Sequence, residues 1–480
     1  MRSIITLSAV FLIIAYAKAD QEKVDGVTYT YDVRCGEAII ANDGYYAAAS
    51  SHKKARGSLK IPSTLGGYSV TGIDAYAFSE CEGLTGVVIP NSVTYIGKRA
   101  FYKCSGLTSV VISPSKGLKV CEDAFDTCPY SANKLIAVGT TDLAAWCEID
   151  FEKVNANPLF RIEKFYAPNL VKNLIVPDGV EEIKPYVFSC YTNLTTVTIS
   201  SSVKSIGKRA FYDCSGLRSV AIPNSVTNIG KRAFYRSGLT SITIPDSVTS
   251  IQEGTFEDCS GLGSVVIPKS VRRIEKEAFA KCSCTIHISD LAAWCRIEFH
   301  GDSFGSIPFK KLFLNGDRVE ELVIPSSVTS VEGGAFSHCY GLASVTIPNS
   351  VTNIYGAFAE CSDLKSVHIS DLAVWCRIGG GGGFSRRYSA PEYNLYLNGE
   401  LITDLIVPDS VTDIADSAFA HCSLTSVTIP NSVTNIGSFA FAGCKGLKWC
   451  VIPSSVKSIG SYAFTHCSSL SAVYYLCPVL

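Results

Sequence analysis

Residues 424–444 read LTSVTIPNSVTNIGSFAFAGC, and close variants recur at 84–104, 194–214, 217–237, 239–259, 262–282, 342–361 and 447–467. The step is about 23 residues, a period at which each unit must stack on its neighbours to bury its apolar face. Leu424, Val427 and Ile429 are spaced to face a core while Ser426 and Thr428 alternate outward, which predicts a short strand. Pro430 has no backbone N–H and ends that strand, and Asn431-Ser432 is a turn pair. Val433 and Ile436 then turn inward on a second short strand, with Gly437 allowing a tight bend. Ala440-Phe441 to Cys444 is too short for a free helix and predicts one helical turn packed by its phenylalanine. Repetition makes a second inward ladder from Phe101, Phe211, Phe234, Phe279, Phe419, Phe441 and Phe464.

A Leu-x-x-(Val/Leu)-x-(Ile/Leu) opening at this period predicts a leucine-rich repeat solenoid, α/β and horseshoe-like, strand-rich, with one short helical turn per repeat. Ser432 falls where an asparagine or cysteine ladder is usual in such repeats, which leaves the curvature open. A repeat array lengthens without needing a new core, so 480 residues predict one elongated body rather than several globular domains. Residues 57–480 are assigned to the solenoid. Residues 27–33 and 37–42 alternate like strands around Cys35-Gly36, so 20–56 is expected to be a β-hairpin cap.

Residues 1–19 have the three parts of a secretory leader: Arg2, an apolar run at 4–16, and Ala17-Lys18-Ala19 before Asp20. No later stretch has the length of apolar sequence a membrane helix needs, so the mature chain is expected without a transmembrane segment, secreted or at the cell surface. The formal net charge of -1, from 42 Lys+Arg against 43 Asp+Glu, gives no electrostatic reason to expect nucleic acid as a partner.

In an exported chain, 20 cysteines would ordinarily suggest disulfides. Twelve of them (Cys81, Cys104, Cys128, Cys190, Cys214, Cys259, Cys282, Cys339, Cys361, Cys422, Cys444 and Cys467) read instead as one slot following the Ala-Phe pair. A cysteine at one phase of a stacked coil acts as a small inward filler, which predicts a thiol ladder; pairing between neighbouring coils is the alternative. Ser237 in the same slot favours the filler.

Taken together, these units resemble the BspA-like leucine-rich repeat family of bacterial and protist surface proteins, whose repeats read LTSVTIPNSVTxIGxxAFxxC, over residues 57–480. The resemblance implies adhesion to host or neighbouring-cell proteins, such as extracellular matrix components.

Three interruptions, at about 129–173, 284–321 and 371–404, share a pattern of their own. Asp142-Leu-Ala-Ala-Trp-Cys147, Asp290-Leu-Ala-Ala-Trp-Cys295 and Asp371-Leu-Ala-Val-Trp-Cys376 suggest a helix capped by the aspartate and anchored by the tryptophan. Asn315-Gly316 and Asn398-Gly399 then predict hairpin turns; the first copy has Ala167-Pro168-Asn169 instead. The glycine run 379–383 reads as a slack connector.

No metal-binding histidine pair, phosphate-cradling loop or nucleophile elbow occurs, so no enzyme activity and no cofactor are expected. His338, His421 and His466 each precede a ladder cysteine and are expected to point outward. Lys98-Arg99, Lys208-Arg209 and Lys231-Arg232 share a phase and could form a basic stripe, more simply a solvated one. Candidate partner-binding residues lie on the exposed strand face. His287 and His368 occupy matched outward positions before the second and third inserts. Trp449 and Val451 replace the usual Ser and Thr, and Tyr474 falls at the phase of Val451. The expected function is a monomeric, non-enzymatic recognition protein whose partners are extracellular or host proteins. The alternative is the repeat arm of a longer adhesin or enzyme, suggested by the ending at 474–480.

Overall fold

A computed structural model of the chain describes residues 20–41, 55–126, 135–166, 172–301, 311–354, 356–378 and 392–475. The leader at 1–19, Cys128, Ala167-Pro168-Asn169 and the glycine run 379–383 lie outside the described residues. The chain forms two compact units, Met1–Ala145 with Ile149–Ile162, and Trp146–Glu148 with Glu163–Leu480. Each is a stack of coils joined by parallel strands, the leucine-rich repeat solenoid that the period predicts.

In the first unit Asp20–Val24, Val27–Arg34 and Glu37–Ile40 form an antiparallel meander, one strand more than the expected hairpin. Glu37–Ile40 then pairs in parallel with Tyr68–Ile73, and the same sheet continues through Tyr95–Ile96, Lys119–Val120 and Asp150–Phe151. A second sheet runs through Gly57–Lys60, Leu84–Ile89, Ser109–Ile112 and Leu135–Thr140.

Coil 424–444, in the second unit, shows how a repeat is held. Ser426–Thr428 and Asn435–Ile436 each pair in parallel with their counterparts one coil before and one coil after. Leu424, Val427, Ile429, Val433 and Ile436 are buried, as their spacing predicts. The segment expected to be a helical turn is a run of tight turns in which Phe439 (φ 57) and Gly443 (φ 73) are left-handed. Such pairs four residues apart recur at Arg99 and Lys103, Arg209 and Asp213, and Glu277 and Lys281. The left-handed geometry points alternate N–H groups out of the coil. Phe439, Phe441 and Gly443 donate to the carbonyls of Ser461, Ala463 and Thr465 at 3.0, 2.8 and 2.8 Å, so these turns make a third inter-coil ladder. A helix would spend those donors within its own turn.

Stacking at strand separation, roughly 4.8 Å, sets what each slot can hold. The phenylalanines lie face over face: Phe188, Phe211, Phe234, Phe256 and Phe279 follow one another at centroid spacings of 5.4, 5.3, 5.6 and 5.4 Å. The described ladder cysteines are free thiols, and seven of them, Cys104, Cys214, Cys259, Cys282, Cys361, Cys444 and Cys467, donate to the carbonyl of the phenylalanine one coil earlier, as Cys282 to Phe256 at 3.0 Å and Cys444 to Phe419 at 3.1 Å. Cys190 does not belong to this slot. It lies two residues after Phe188 in the left-handed position (φ 64), and Tyr191 fills the buried place. The serine of this turn bonds backward in some coils, Ser270 to the Val248 carbonyl at 2.9 Å and Ser455 to Val433 at 2.9 Å, whereas the hydroxyls of Ser92, Ser225 and Ser432 are buried without a hydrogen-bond partner among the described residues. Gly437 is not in the left-handed region, and its role differs from the expected bend. A Cβ there would lie 2.5 Å from the Asp416 nitrogen, so glycine is what permits the close approach to the preceding coil.

The interrupted coils keep these bonds by other means. Helices α1 (Leu143–Cys147), α2 (Leu291–Trp294) and α3 (Leu372–Arg377) begin at Asp142, Asp290 and Asp371, whose carboxylates accept from the backbone of Ala145, Ala293 and Val374 at 3.0, 2.9 and 3.0 Å. The buried Trp294 indole donates to the Ala335 carbonyl at 2.9 Å and that of Trp146 to Val187 at 3.3 Å. In an ordinary coil that carbonyl receives the backbone N–H of the preceding phenylalanine, so the indole replaces a missing main-chain donor. Hairpins follow at Asn315-Gly316 and Asn398-Gly399, with φ of 54 and 96, and 51 and 91, as their sequences predict.

One junction is weaker. Between 217 and 239 the repeat is a residue short, and Arg236-Ser237-Gly238 closes the coil. Neither strand ladder continues across it: Ser219–Ala221 and Ser241–Thr243 lie in different sheets, as do Asn228–Ile229 and Ser250–Ile251. The turn run still bonds there, Phe234 to Thr255 at 2.9 Å, and the Phe234–Phe256 spacing of 5.6 Å is the widest of its stack.

His421 is buried rather than outward. Its ring lies over Gly443, where a Cβ would come within 2.5 Å of Nδ1, and Nδ1 has no hydrogen-bond partner among the described residues. Burial and then Lys445 hold its pKa below the ordinary histidine value, against an opposing pull from Glu392.

Three outcomes test this account. Trp294→Phe keeps most of the apolar volume but strands the Ala335 carbonyl, and should cost about 1–3 kcal/mol in a denaturation series. Below about pH 6.5 the unfolded chain protonates His421 while the native one resists, so stability should fall with pH by up to about 1.4 kcal/mol per unit. His421→Gln should flatten that slope. Brief alkylation followed by mass spectrometry should label exposed Cys35 first, because burial pushes thiols such as Cys422 and Cys450 up to about 12.

Candidate functional site

Side chains that alternate outward on these strands line up from coil to coil, because parallel pairing is in register. The middle outward position forms one row per sheet in the second unit. In the third sheet the row is Val323, Thr346, His368 and Tyr396; in the fourth it is Ile406, Thr428, Val451 and Tyr474. In the second sheet it is Thr243, Val266, His287 and Phe313, and in the first Ile175, Thr198 and Ala221. A four-residue row spans three strand steps, roughly 14 Å.

Four of the five candidate residues therefore share one register position on different sheets. His287 stacks on Phe313 with centroids 4.6 Å apart, and His368 on Tyr396 at 4.7 Å, both with nearly parallel rings. The rings that meet the histidines come from the hairpin strands Lys311–Leu314 and Asn394–Leu397. Val451 is half-buried beside Tyr474, which is 57% exposed. Trp449 is separate, in the row Asp404, Ser426, Trp449 and Ala472. There Ser426 is buried, contrary to the outward reading, with its hydroxyl on the Asp404 carboxylate. The Ser426 and Thr425 hydroxyls hold that carboxyl below its usual range.

Sequence reading missed the other end of each row. Ile175, Val323 and Ile406 are 67%, 64% and 71% exposed, each on the strand that opens a sheet after an insert. The signal was present: NLIVP, ELVIP and DLIVP put a β-branched apolar residue where other repeats have threonine. Three coils begin this way, and rows two, three and four end on an aromatic ring. Exposed rings and β-branched chains on a rigid sheet can desolvate against a partner at little entropic cost.

Two of the three Lys-Arg pairs are neutralised, whereas Lys208 and Arg209 make no ion pair among the described residues. Lys98 reaches Glu122 at 3.4 Å and Arg99 reaches Asp123 at 3.2 Å, each one coil on. Lys231 pairs with Glu253, and Arg232 with Glu257 and Glu277. Arg99, Arg209 and Arg232 also lie over the rings of Tyr102, Tyr212 and Tyr235. Among the described residues no cluster of three His, Cys, Asp or Glu is arranged to hold a metal ion, and no helix is long and apolar enough to cross a membrane.

The chain matches the BspA type leucine-rich repeat region in six copies, at residues 57–144, 161–288, 307–375 and 392–477. No curated protein matches it. Among solved structures it is similar to a leucine-rich cell surface protein from Faecalibacterium prausnitzii, at 25% identity over 96% of each chain with a TM-score of 0.32. A leucine-rich repeat protein from Bacteroides ovatus matches at 23% identity over 93% of this chain and 92% of that one, TM-score 0.39. The pneumococcal vaccine antigen PcpA matches at 15% identity over 92% and 98%, TM-score 0.32. With the repeat region matched across well over half its length, the chain belongs to the BspA-type leucine-rich repeat family.

Proposed function

We propose that this is a secreted or surface-displayed recognition protein without catalytic activity, which binds extracellular proteins through the outward rows of its strand face. The observation that carries this reading is the recurrence of a β-branched chain at one end of a row and a ring at the other, in separate sheets at the same register. A polar Ser/Thr face needs no such pattern to stay soluble, and exposed apolar groups repeated on a rigid scaffold are what interface anchors require. The leader-like residues 1–19 support export, and the family supports a protein-interaction role. The partner class expected from the resemblance, host or matrix proteins, belongs to the same proposal.

Surface plasmon resonance with the immobilised mature chain, against a panel of purified matrix proteins, tests it. Tyr474→Ala and Tyr396→Ala should each weaken the best-binding protein by about tenfold or more, as a truncated anchor does. Trp449→Ala tests the neighbouring row separately. If the tyrosine variants and Ile406→Ser all bind as the parent does, the rows are not the interface.

A further inference from the structure

We propose that a cleft at the start of α2 is a binding site for an acidic sugar, one that carries a carboxylate together with free ring hydroxyls. The cleft has a volume of about 550 Å³ and is lined by Asp246, Lys269, Ser270, Arg272, Asp290, Ala292, Ala293 and Arg296. That is the size of a small-molecule site, between about 300 and 1,000 Å³, rather than a groove for a helix or strand. Among the described residues Lys269, Arg272 and Arg296 make no ion pair, whereas Arg273 beside them is paired with Glu275 and Glu298.

The two guanidinium groups are held by main-chain oxygens instead. Arg272 Nη1 donates to the Lys269 carbonyl at 2.5 Å, and Arg296 Nη2 to that of Ser327 at 3.0 Å. Bonds to neutral carbonyls fix each group while leaving its charge and other donors unspent, which is the arrangement a carboxylate needs for a bidentate contact. Asp246, at the phase of Lys269 one coil earlier, lines the cleft with a carboxylate that has no partner among the described residues, whereas Asp290 is committed to capping α2 through Ala293. A bare anion would meet the cations and be repelled by Asp246. A chain of acidic residues has carboxylates but no side-chain hydroxyl to give to Asp246. A uronic-type sugar suits both kinds of group, its carboxylate on the cations and a hydroxyl donating to Asp246, with Ala292 and Ala293 leaving room for the ring.

The third insert acts as an internal control. Asp371 caps α3 as Asp290 caps α2, and Arg377 donates to Ser410 at 3.2 Å as Arg296 does to Ser327. Yet Ser326, Asn349 and Thr352 stand at the positions of Asp246, Lys269 and Arg272. The fold therefore does not demand the charged set, and each of these substitutions is already carried by an equivalent coil.

Titration calorimetry of the full chain with trigalacturonate tests the site, alongside trigalactose, polyglutamate and inorganic phosphate. Trigalacturonate should bind, and trigalactose, which lacks the carboxylates, should bind about tenfold or more weakly. Lys269→Asn with Arg272→Thr should abolish measurable binding. Asp246→Ser should weaken trigalacturonate about tenfold while leaving phosphate unchanged or tighter. Arg377→Ala and Tyr474→Ala should change nothing, which keeps this test independent of the strand-face reading. The proposal is overturned if trigalacturonate does not bind, if polyglutamate or trigalactose binds as well, if the double variant binds normally, or if Arg377→Ala or Tyr474→Ala costs as much.

Discussion

Main-chain hydrogen bonding between coils is the constraint on which everything else in this protein depends. Two strand ladders and one ladder of left-handed turns hold successive coils at the separation of paired strands, roughly 4.8 Å. At that distance a side chain meets its own counterpart above and below, and only some residues tolerate themselves as neighbours. Phenylalanine does, as a flat ring stacked face over face. Cysteine does, because a buried thiol can give its weak hydrogen bond to a carbonyl one coil back and fill a small space with a polarizable atom. Glycine at Gly437 is required for a different reason: the neighbouring backbone occupies the place its side chain would take.

The same constraint explains the inserts. A coil that leaves the ordinary path deprives the next coil of a donor, and the indole of Trp146 or Trp294 supplies it from a side chain. The hairpins that follow Lys311–Leu314 and Asn394–Leu397 end their sheets with an antiparallel strand, so the outer face is divided into short panels. Each new panel opens on an exposed β-branched residue, Val323 or Ile406, and closes on Tyr396 or Tyr474. Elaboration of the repeat and patterning of the exposed face are thus one event in the sequence, not two.

The period, the inward ladders, the helix caps and the Asn-Gly hairpins were legible because each rests on local chemistry that repeats. The turn run at Ala440-Phe441 was not, since a short Ala-Phe segment carries no mark of left-handed geometry; Arg99, Arg209 and His421 adopt it because neighbouring coils take up their N–H groups. Cys190 was misplaced because Tyr191 takes the slot that cysteine fills elsewhere, a distinction of one residue that only the coil geometry reveals. His287, His368, Val451 and Tyr474 were singled out for separate reasons, and it took strand register to put them in the same position. Ser426 shows the opposite error: alternation places it outward, and the Asp404 carboxylate and the Trp449 ladder neighbour cover it.

The short coil closed by Arg236-Ser237-Gly238 has a mechanical meaning. In a stack where each coil is secured only to its neighbours, cooperativity is passed from one junction to the next. Here both strand ladders stop and the backbone is bridged mainly by the turn run around Phe234 and Thr255. A pull along the coil axis, or a front of unfolding, meets less resistance at that junction than at those on either side. The short coil thus gives this stretch of the second unit a preferred place to yield, where mainly the turn ladder must be broken.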